Sequence, residues 1–467
     1  MSVSSAAQPN FVVVMTDDQG PWARSDVTPE LQMPQLTLLI QRGRDFSRAF
    51  CASPVCSPAR ASVLTGRMPS AHGVHDWLRI RMDDNQPWHY LQGLTTTPMV
   101  LSDAGYRCGH VGKWHLGDAQ HPAPGFTDWE LVHQRGGGPY FDAPVWIDGS
   151  PTTADGYLTT MINNSAAQTL TSMINDDQPF YLQVHYTAPH TPWDADQHPQ
   201  EYLRLYDDCD FPSLPRLPKH PWFQQQTGEL ADAFADPNTA LRGLAASLSA
   251  VDDGLGQLLD IIDRHDRGRD TYLIFLSDNG FNCGHHGIWG KGNGTRPLNM
   301  YEESVRVPFV VTGPQVEAGV DDTLISTAGL FATITELAGA TAEPDPLRSA
   351  GSFAGRLGAA PATDADGFVT VFDEYGGTRM IRTEGHKYVL RHAGPTELYD
   401  LAEDPGETDN LADDPGKRAL RVELHQALID WFAEHSDPER DAFARPVSGA
   451  GQNAPVWSEH TDTARYE

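Results

Sequence analysis

The chain has 467 residues, 39% of them hydrophobic and 21% charged, with 33 Lys and Arg against 63 Asp and Glu for a formal net charge of −30. This is a globular composition, long enough for one large domain and a smaller one, and its acidity excludes a general binder of phosphate backbones, so no nucleic-acid partner is expected. The acidity reads as solubility, and an anionic substrate would have to meet a locally positive pocket.

The first ten residues, MSVSSAAQPN, hold neither a basic nor an apolar run, and residues 11–15 are too few for a signal or a span. A cytoplasmic protein with no membrane partner is expected. Short apolar runs at 11–15, 107–111, 180–185, 272–276 and 309–311 read as buried strands, separated by helical stretches. Apolar residues at helical spacing mark 241–265 and 330–338. Residues 198–225, rich in Pro, Asp and aromatics, read as a long irregular excursion of the kind that lines substrate clefts. Residues 340–367 lose periodicity and connect to short strands at 368–372, 378–383 and 387–391 and a closing helix at 419–433. Beyond Asp437 the chain wraps over the surface or frays.

This alternation predicts an α/β fold: a large, mostly parallel sheet flanked by helices, with a smaller C-terminal α+β subdomain. The expected division is 1–365 and 366–467. Five cysteines, Cys51, Cys56, Cys108, Cys209 and Cys283, include no C-x-x-C pair, which argues against a disulfide framework or a structural zinc site.

Polar residues follow the predicted strands. Asp17 and Asp18 follow the first, Lys113 and His115 the second, His190 the third, and Asp278 and Asn279 the fourth. In a parallel sheet those ends share one edge, where ligands bind. Asp17, Asp18, Asp278 and Asn279 offer oxygen ligands only, suited to calcium or magnesium. Taken singly, Asp278-Asn279-Gly280 reads more readily as a turn and Asp17-Asp18 as a helix cap; their shared edge favours the metal. Cys56-Ser57-Pro58-Ala59-Arg60 fits C-x-P-x-R, which composition alone would supply roughly 0.03 times per chain. With Ser57 as cap and Pro58 in the first turn, Cys56 would sit at a helix N-terminus, which lowers a thiol's pKa or receives an anion.

Eight stretches, VVVMTDDQG, CSPARASVLTGRMPSAHGV, GYRCGHVGKWHLG, YTAPHTPW, FLSDNG, GIWGKG, YEESVRVPFVV and ELYDLAEDPGETDNLA, run in the order found in the type I sulfatases, and the chain resembles that family of the alkaline phosphatase superfamily over nearly its whole length. The resemblance implies an alkaline phosphatase-like fold and hydrolysis of a sulfate monoester. It implies conversion of Cys56 to formylglycine by a separate formylglycine-generating enzyme. It makes Asp17, Asp18, Asp278, Asn279 and the modified Cys56 ligands of one divalent cation, calcium before magnesium. Arg60 would orient the nucleophile, Lys113 and Lys291 hold the sulfate, His115 act as base and His190 protonate the leaving oxygen. His286, close to Lys291 in sequence, is a further candidate for substrate contact.

Two other readings stand beside this one: a phosphonate monoester or phosphodiester hydrolase of the same superfamily, and a protein that keeps the fold and binds an anion without turnover. The substrate is expected to be an anionic small molecule or, in preference, a saccharide sulfate ester. Its alcohol would be set by loops 70–95, 133–150 and 198–225, whose Trp77, Arg79, Arg81, Trp88, Tyr140 and Trp222 could stack on a ring.

Overall fold

A computed structural model describes residues 8–79, 88–224, 228–265, 270–358, 370–373 and 377–466. Ten strands form the central sheet: β1 Asn10–Thr16, β2 Arg44–Phe46, β3 Arg107–Lys113, β4 Leu131–His133, β5 Pro144–Ile147, β6 Ser150–Thr153, β7 Phe180–His185, β8 Thr271–Ser277, β9 Phe309–Thr312 and β10 Gly319–Asp321. Their spatial order is β10-β2-β9-β8-β1-β7-β3-β4-β5-β6. The run from β8 through β1, β7 and β3 to β4 is parallel, so all its carboxyl ends open on one edge. The strand expected at 309–311 joins this sheet antiparallel to β8, a direction that a short apolar run does not encode.

β1 shows why the sheet is buried on both faces. Its sequence NFVVVMT is wholly buried, and successive side chains point to opposite sides. Val12 and Val14 join Leu182, Val184, Leu273 and Phe275 in a core closed by helices α1 Pro34–Arg42, α4 Leu158–Ile174 and α5 Pro237–Arg264. Phe11, Val13 and Met15 face the other way, against α2 Cys56–Thr65, α3 Thr97–Asp103 and α6 Leu330–Leu337. Burying each such side chain contributes about 1.5–3 kcal/mol, so β1 is held from both sides and the residues just after it are fixed. α5 starts where the Asp236 side chain accepts the Thr239 N–H and Pro237 opens the first turn. Its Asp252 caps α1, accepting the N–H groups of Gln35 and Leu36 at 2.9 and 2.8 Å.

The C-terminal part is a four-stranded antiparallel sheet, β11 Thr370–Asp373, β12 Thr378–Arg382, β13 His386–Arg391 and β14 Glu397–Asp400. The expected strand at 368–372 is described only from Thr370; residues 368 and 369 lie outside the described residues. Helix α7 Arg418–His435 covers one face through Leu424, Leu428 and Phe432, while Met380 and Val389 on the other enter the main core. Lys387 of β13 is fully buried and reaches Glu302, Glu407 and the Met300 carbonyl at 2.8, 2.7 and 2.8 Å. The segment after Asp437 wraps back over the sheet edge: the Gln452 amide bridges His75 N–H and the Gly73 carbonyl, and Tyr466 is buried against His75. Among the described residues no helix is long and apolar enough to cross a membrane.

Candidate active site

Asp17 and Asp18 leave β1, Asp278 and Asn279 leave β8, Lys113 ends β3, and His190 follows β7, so the residues expected to converge meet at one sheet edge. Asp17, Asp278 and Lys113 are fully buried, and Lys113 Nζ donates to Asp17 Oδ2. Asp18, at φ 66°, accepts Asn279 Nδ2 at 2.7 Å and Lys291 Nζ at 2.5 Å on Oδ1, and its Oδ2 lies 3.7 Å from His190 Nε2. Asp278 Oδ1 takes the N–H groups of Asp18 and Asn279, and its Oδ2 accepts Arg60 Nε–H at 2.9 Å and lies 2.8 Å from Arg60 Nη2 in a buried ion pair. Arg60 makes no hydrogen bond to Cys56; it grips the cluster through Asp278, with further contacts to the Lys113 carbonyl and the His185 ring.

Cys56 opens α2, with Sγ 2.9 Å from Lys291 Nζ. Ser57 is not the cap expected from sequence. The helix starts two residues earlier, with Val55 at the N-cap, and Ser57 Oγ donates to the His115 carbonyl and accepts Leu78 N–H. The hydroxyl has been diverted to pin the His115 loop.

Asp18, Cys56, His190 and Lys291 line, with His115, a cavity of about 560 Å³ whose wall includes Trp77, Arg79, Arg135, Phe281 and Asn293; Asp17, Arg60, Lys113, Asp278 and Asn279 are outside its lining. His115 Nε2 lies 3.0 Å from the Leu78 carbonyl, which can only accept, so Nε2 carries the proton and Nδ1, which has no partner, keeps its lone pair. His190 Nδ1 likewise donates to the Thr191 carbonyl at 2.9 Å, leaving Nε2 toward Asp18. Gly136 and Gly137 lie flat against both rings: a Cβ on Gly136 would come within 2.9 Å of His115 and one on Gly137 within 2.4 Å of His190.

A family model for sulfatases matches residues 9–340, and one for the C-terminal part of N-sulphoglucosamine sulphohydrolase matches residues 284–434. The chain belongs to the sulfatase family. It is a sulfuric ester hydrolase. Relatives include the sulfatase YidJ of Escherichia coli K12 (27% identical; 93% of this chain, 89% of that one) and the choline-sulfatase of Rhizobium meliloti (27%; 94% and 90%). The N-acetylglucosamine-6-O-sulfatase of Bacteroides thetaiotaomicron is 25% identical, over 93% of this chain and 88% of that one. The fold matches the structure of BT4656 in complex with its substrate D-glucosamine-2-N,6-O-disulfate (TM-score 0.74, 22% identical, 92% and 98% covered). It also matches the phosphonate monoester hydrolase of Agrobacterium radiobacter (TM-score 0.71, 21%, 92% and 96%).

In this sulfatase the site residues fit a hard cation. Asp17, Asp18 and Asp278 present oxygens within 4.8 Å of one another, and Asp17 Oδ1 and Asn279 Oδ1 are buried acceptors without a hydrogen-bond partner. Burial and the Asp278 charge raise the Asp17 carboxyl above its usual range, whereas against the cost of burial Arg60, Lys113 and Lys291 hold Asp278 at about 2. The expectation that a helix N-terminus lowers the Cys56 thiol does not hold: burial and Asp17 push it up to about 12 despite Lys113 and Lys291. Burial and the Lys113 charge hold His115 well below the ordinary histidine value, hence neutral.

Not every sequence candidate reaches the sulfatase's cavity. His286 stacks on Tyr301 with ring centroids 3.8 Å apart and bonds Glu303 at 2.8 Å, outside the lining. No described residue of 198–225 lines it; that excursion braces the loop carrying Lys291 instead, through His220 N–H to Gly287 and Gln224 N–H to Gly294. Trp77 and Arg79 are in the wall. Trp88 packs on Trp457, Tyr140 bonds the His190 carbonyl, and Trp222 meets Arg391; Arg81 lies outside the described residues. Sequence reasoning missed Arg135 and Asn293. A run of three glycines after Arg135 was the available signal for a backbone pressed against something.

Proposed function

We propose that this chain hydrolyses saccharide sulfate monoesters through a formylglycine made from Cys56. The observation that carries this reading is the placement of Cys56 Sγ at a helix N-terminus, 2.9 Å from Lys291, on the floor of a cavity shared with His115 and His190. Sugar is favoured because a relative is an N-acetylglucosamine-6-O-sulfatase and a fold neighbour binds a glucosamine disulfate.

Formylglycine supplies, as its hydrate, a nucleophilic oxygen and a second hydroxyl through which sulfate is released by carbon–oxygen cleavage. Asp17, Asp18, Asp278 and Asn279, with residue 56, would hold one divalent cation, calcium before magnesium, which supplies Lewis-acid stabilisation of the developing charge. Lys113 and Lys291 bind the sulfate oxygens. Arg60 is a positioning residue, fixing Asp278. His115 Nδ1 takes the proton of the hydrate hydroxyl, and His190, whose Nδ1–H is held by the Thr191 carbonyl, serves as the acid in its imidazolium form and gives its Nε2 proton to the departing alcohol oxygen. Counting one dication, three aspartates and three basic side chains, the site sums to +2, which suits a monoanionic ester facing an ionised nucleophile. The maturation partner is a formylglycine-generating enzyme, and the five free thiols suit a reducing, cytoplasmic compartment.

The test is hydrolysis of matched aryl sulfate and aryl phosphonate esters, with calcium, by protein co-produced with the cysteine-oxidising enzyme, beside Cys56→Ala and with peptide mass reporting conversion. Sulfate turnover that vanishes in Cys56→Ala supports the reading. Phosphonate preference removes it in favour of the phosphonate hydrolase, while full conversion with no turnover of either ester removes a general aryl sulfatase and points to a narrow natural substrate or a binding role.

A further inference from the structure

The cavity wall holds more positive charge than one sulfate ester requires. Its charged lining, histidines and the Cys56 thiol aside, is Arg79, Arg135 and Lys291 against the single carboxylate of Asp18. Over the whole chain acids outnumber bases 63 to 33, so this wall inverts the general balance. Lys291 is already committed to Asp18 and Cys56, and Arg79 grips the Ala450 carbonyl.

Arg135 differs from both. It is exposed, lines the cavity, and enters no ion pair or side-chain hydrogen bond among the described residues. The next two residues, Gly136 and Gly137, lie against the His115 and His190 rings so closely that neither tolerates a Cβ. An unneutralised guanidinium is thereby anchored one residue from the wall that faces the reacting ester. Such a fork takes a carboxylate or sulfate in bidentate fashion, and a quaternary ammonium would find repulsion there instead.

We infer that Arg135 recognises a second anionic group on the substrate, so that the preferred ester is a sugar carrying a further sulfate or a carboxylate close to the scissile sulfate. This rests on the sulfatase reading above and narrows its substrate class. The cavity, about 560 Å³, is within the range that encloses a small ligand of this kind.

The experiment measures binding rather than turnover, using full-length Cys56→Ala protein with calcium, and is therefore independent of the hydrolysis assay that tests the reaction. Titration calorimetry compares D-glucosamine-2-N,6-O-disulfate with N-acetylglucosamine 6-sulfate, before and after Arg135→Ala, with thermal melting to check folding. The expected result is a preference for the disulfate that falls roughly ten-fold in Arg135→Ala, weakens with added salt, and is partly kept by Arg135→Lys. An unchanged affinity ratio, an equal loss for both sugars, or no initial preference for the disulfate would overturn the inference.

Discussion

Trp77 Nε1 and Asn293 Nδ2, from distant parts of the chain, donate to the same acceptor, the Gly449 carbonyl, at 3.2 and 3.4 Å. Both line the cavity, so the C-terminal strap ties two pieces of its wall together. Two residues on, Gly451 has φ +113° and a Cβ there would lie 2.6 Å from Arg79 Nε and 3.0 Å from Trp77. Gly451→Ala is therefore expected to cost about 1–3 kcal/mol of stability and to displace both side chains. Steady-state kinetics on a sugar sulfate should show KM raised several-fold with kcat changed far less.

Arg60 is 1% exposed and is the buried partner of Asp278. Arg60→Ala leaves that carboxylate uncompensated and should destabilise the chain by about 3–5 kcal/mol, read by urea denaturation. Asp278→Asn combined with Arg60→Met should recover a large part of that loss without restoring activity.

Lys113 and Lys291 occupy oxygens of Asp17 and Asp18 that a divalent cation would also use. Calcium is expected to raise the melting temperature, by the equivalent of about 2.7 kcal/mol at one hundred times its dissociation constant, and EDTA to reverse it. By drawing the carboxylates away from the two ammonium groups it should also tighten binding of inorganic sulfate. Asp17→Asn should abolish most of the calcium-dependent shift, whatever its activity.

His75 joins the strap to the body, with Nε2 on the Arg440 carbonyl and Nδ1 facing Tyr466 Oη at 2.7 Å. Burial holds it at about 3, against about 6.5 in an unfolded chain. The unfolded state therefore binds the proton first, and this contribution is complete above pH 6.5 and lost as pH falls toward 3. Stability should drop by about 1.4 kcal/mol per pH unit for this group alone, less steeply in His75→Gln, as followed by urea denaturation between pH 7 and 4.5.

The parallel strands and the site at their ends were legible because β1 and β8 are continuous apolar runs with Asp17 and Asp278 directly after them, while β3 and β7 are mixed strands that showed mainly through the polar residues at or after their ends. That pattern is local. The direction of β9 and the β4 to β6 extension were not legible, since register and direction depend on partners far away in sequence. Cys56 and Arg60 announced themselves by spacing, but Arg60's partner and the diversion of Ser57 to His115 are tertiary facts. His286 misled because nearness to Lys291 in sequence says nothing about which side of a turn faces the cavity, and at φ 53° its backbone turns it onto Tyr301. Arg135 carried no period and no motif, only the glycines behind it.

Lys387 lies on the C-terminal sheet, yet both carboxylates that neutralise it and the carbonyl it meets belong to other segments, with Glu302 and Met300 in the main body. Separating the sheet from the body would strand a buried ammonium on one side and Glu302 on the other, while also uncovering Met380 and Val389. The two parts are thus bound to lose structure in a single cooperative transition, and a scanning calorimeter should record one endotherm for the whole chain where the outline of the fold suggests two.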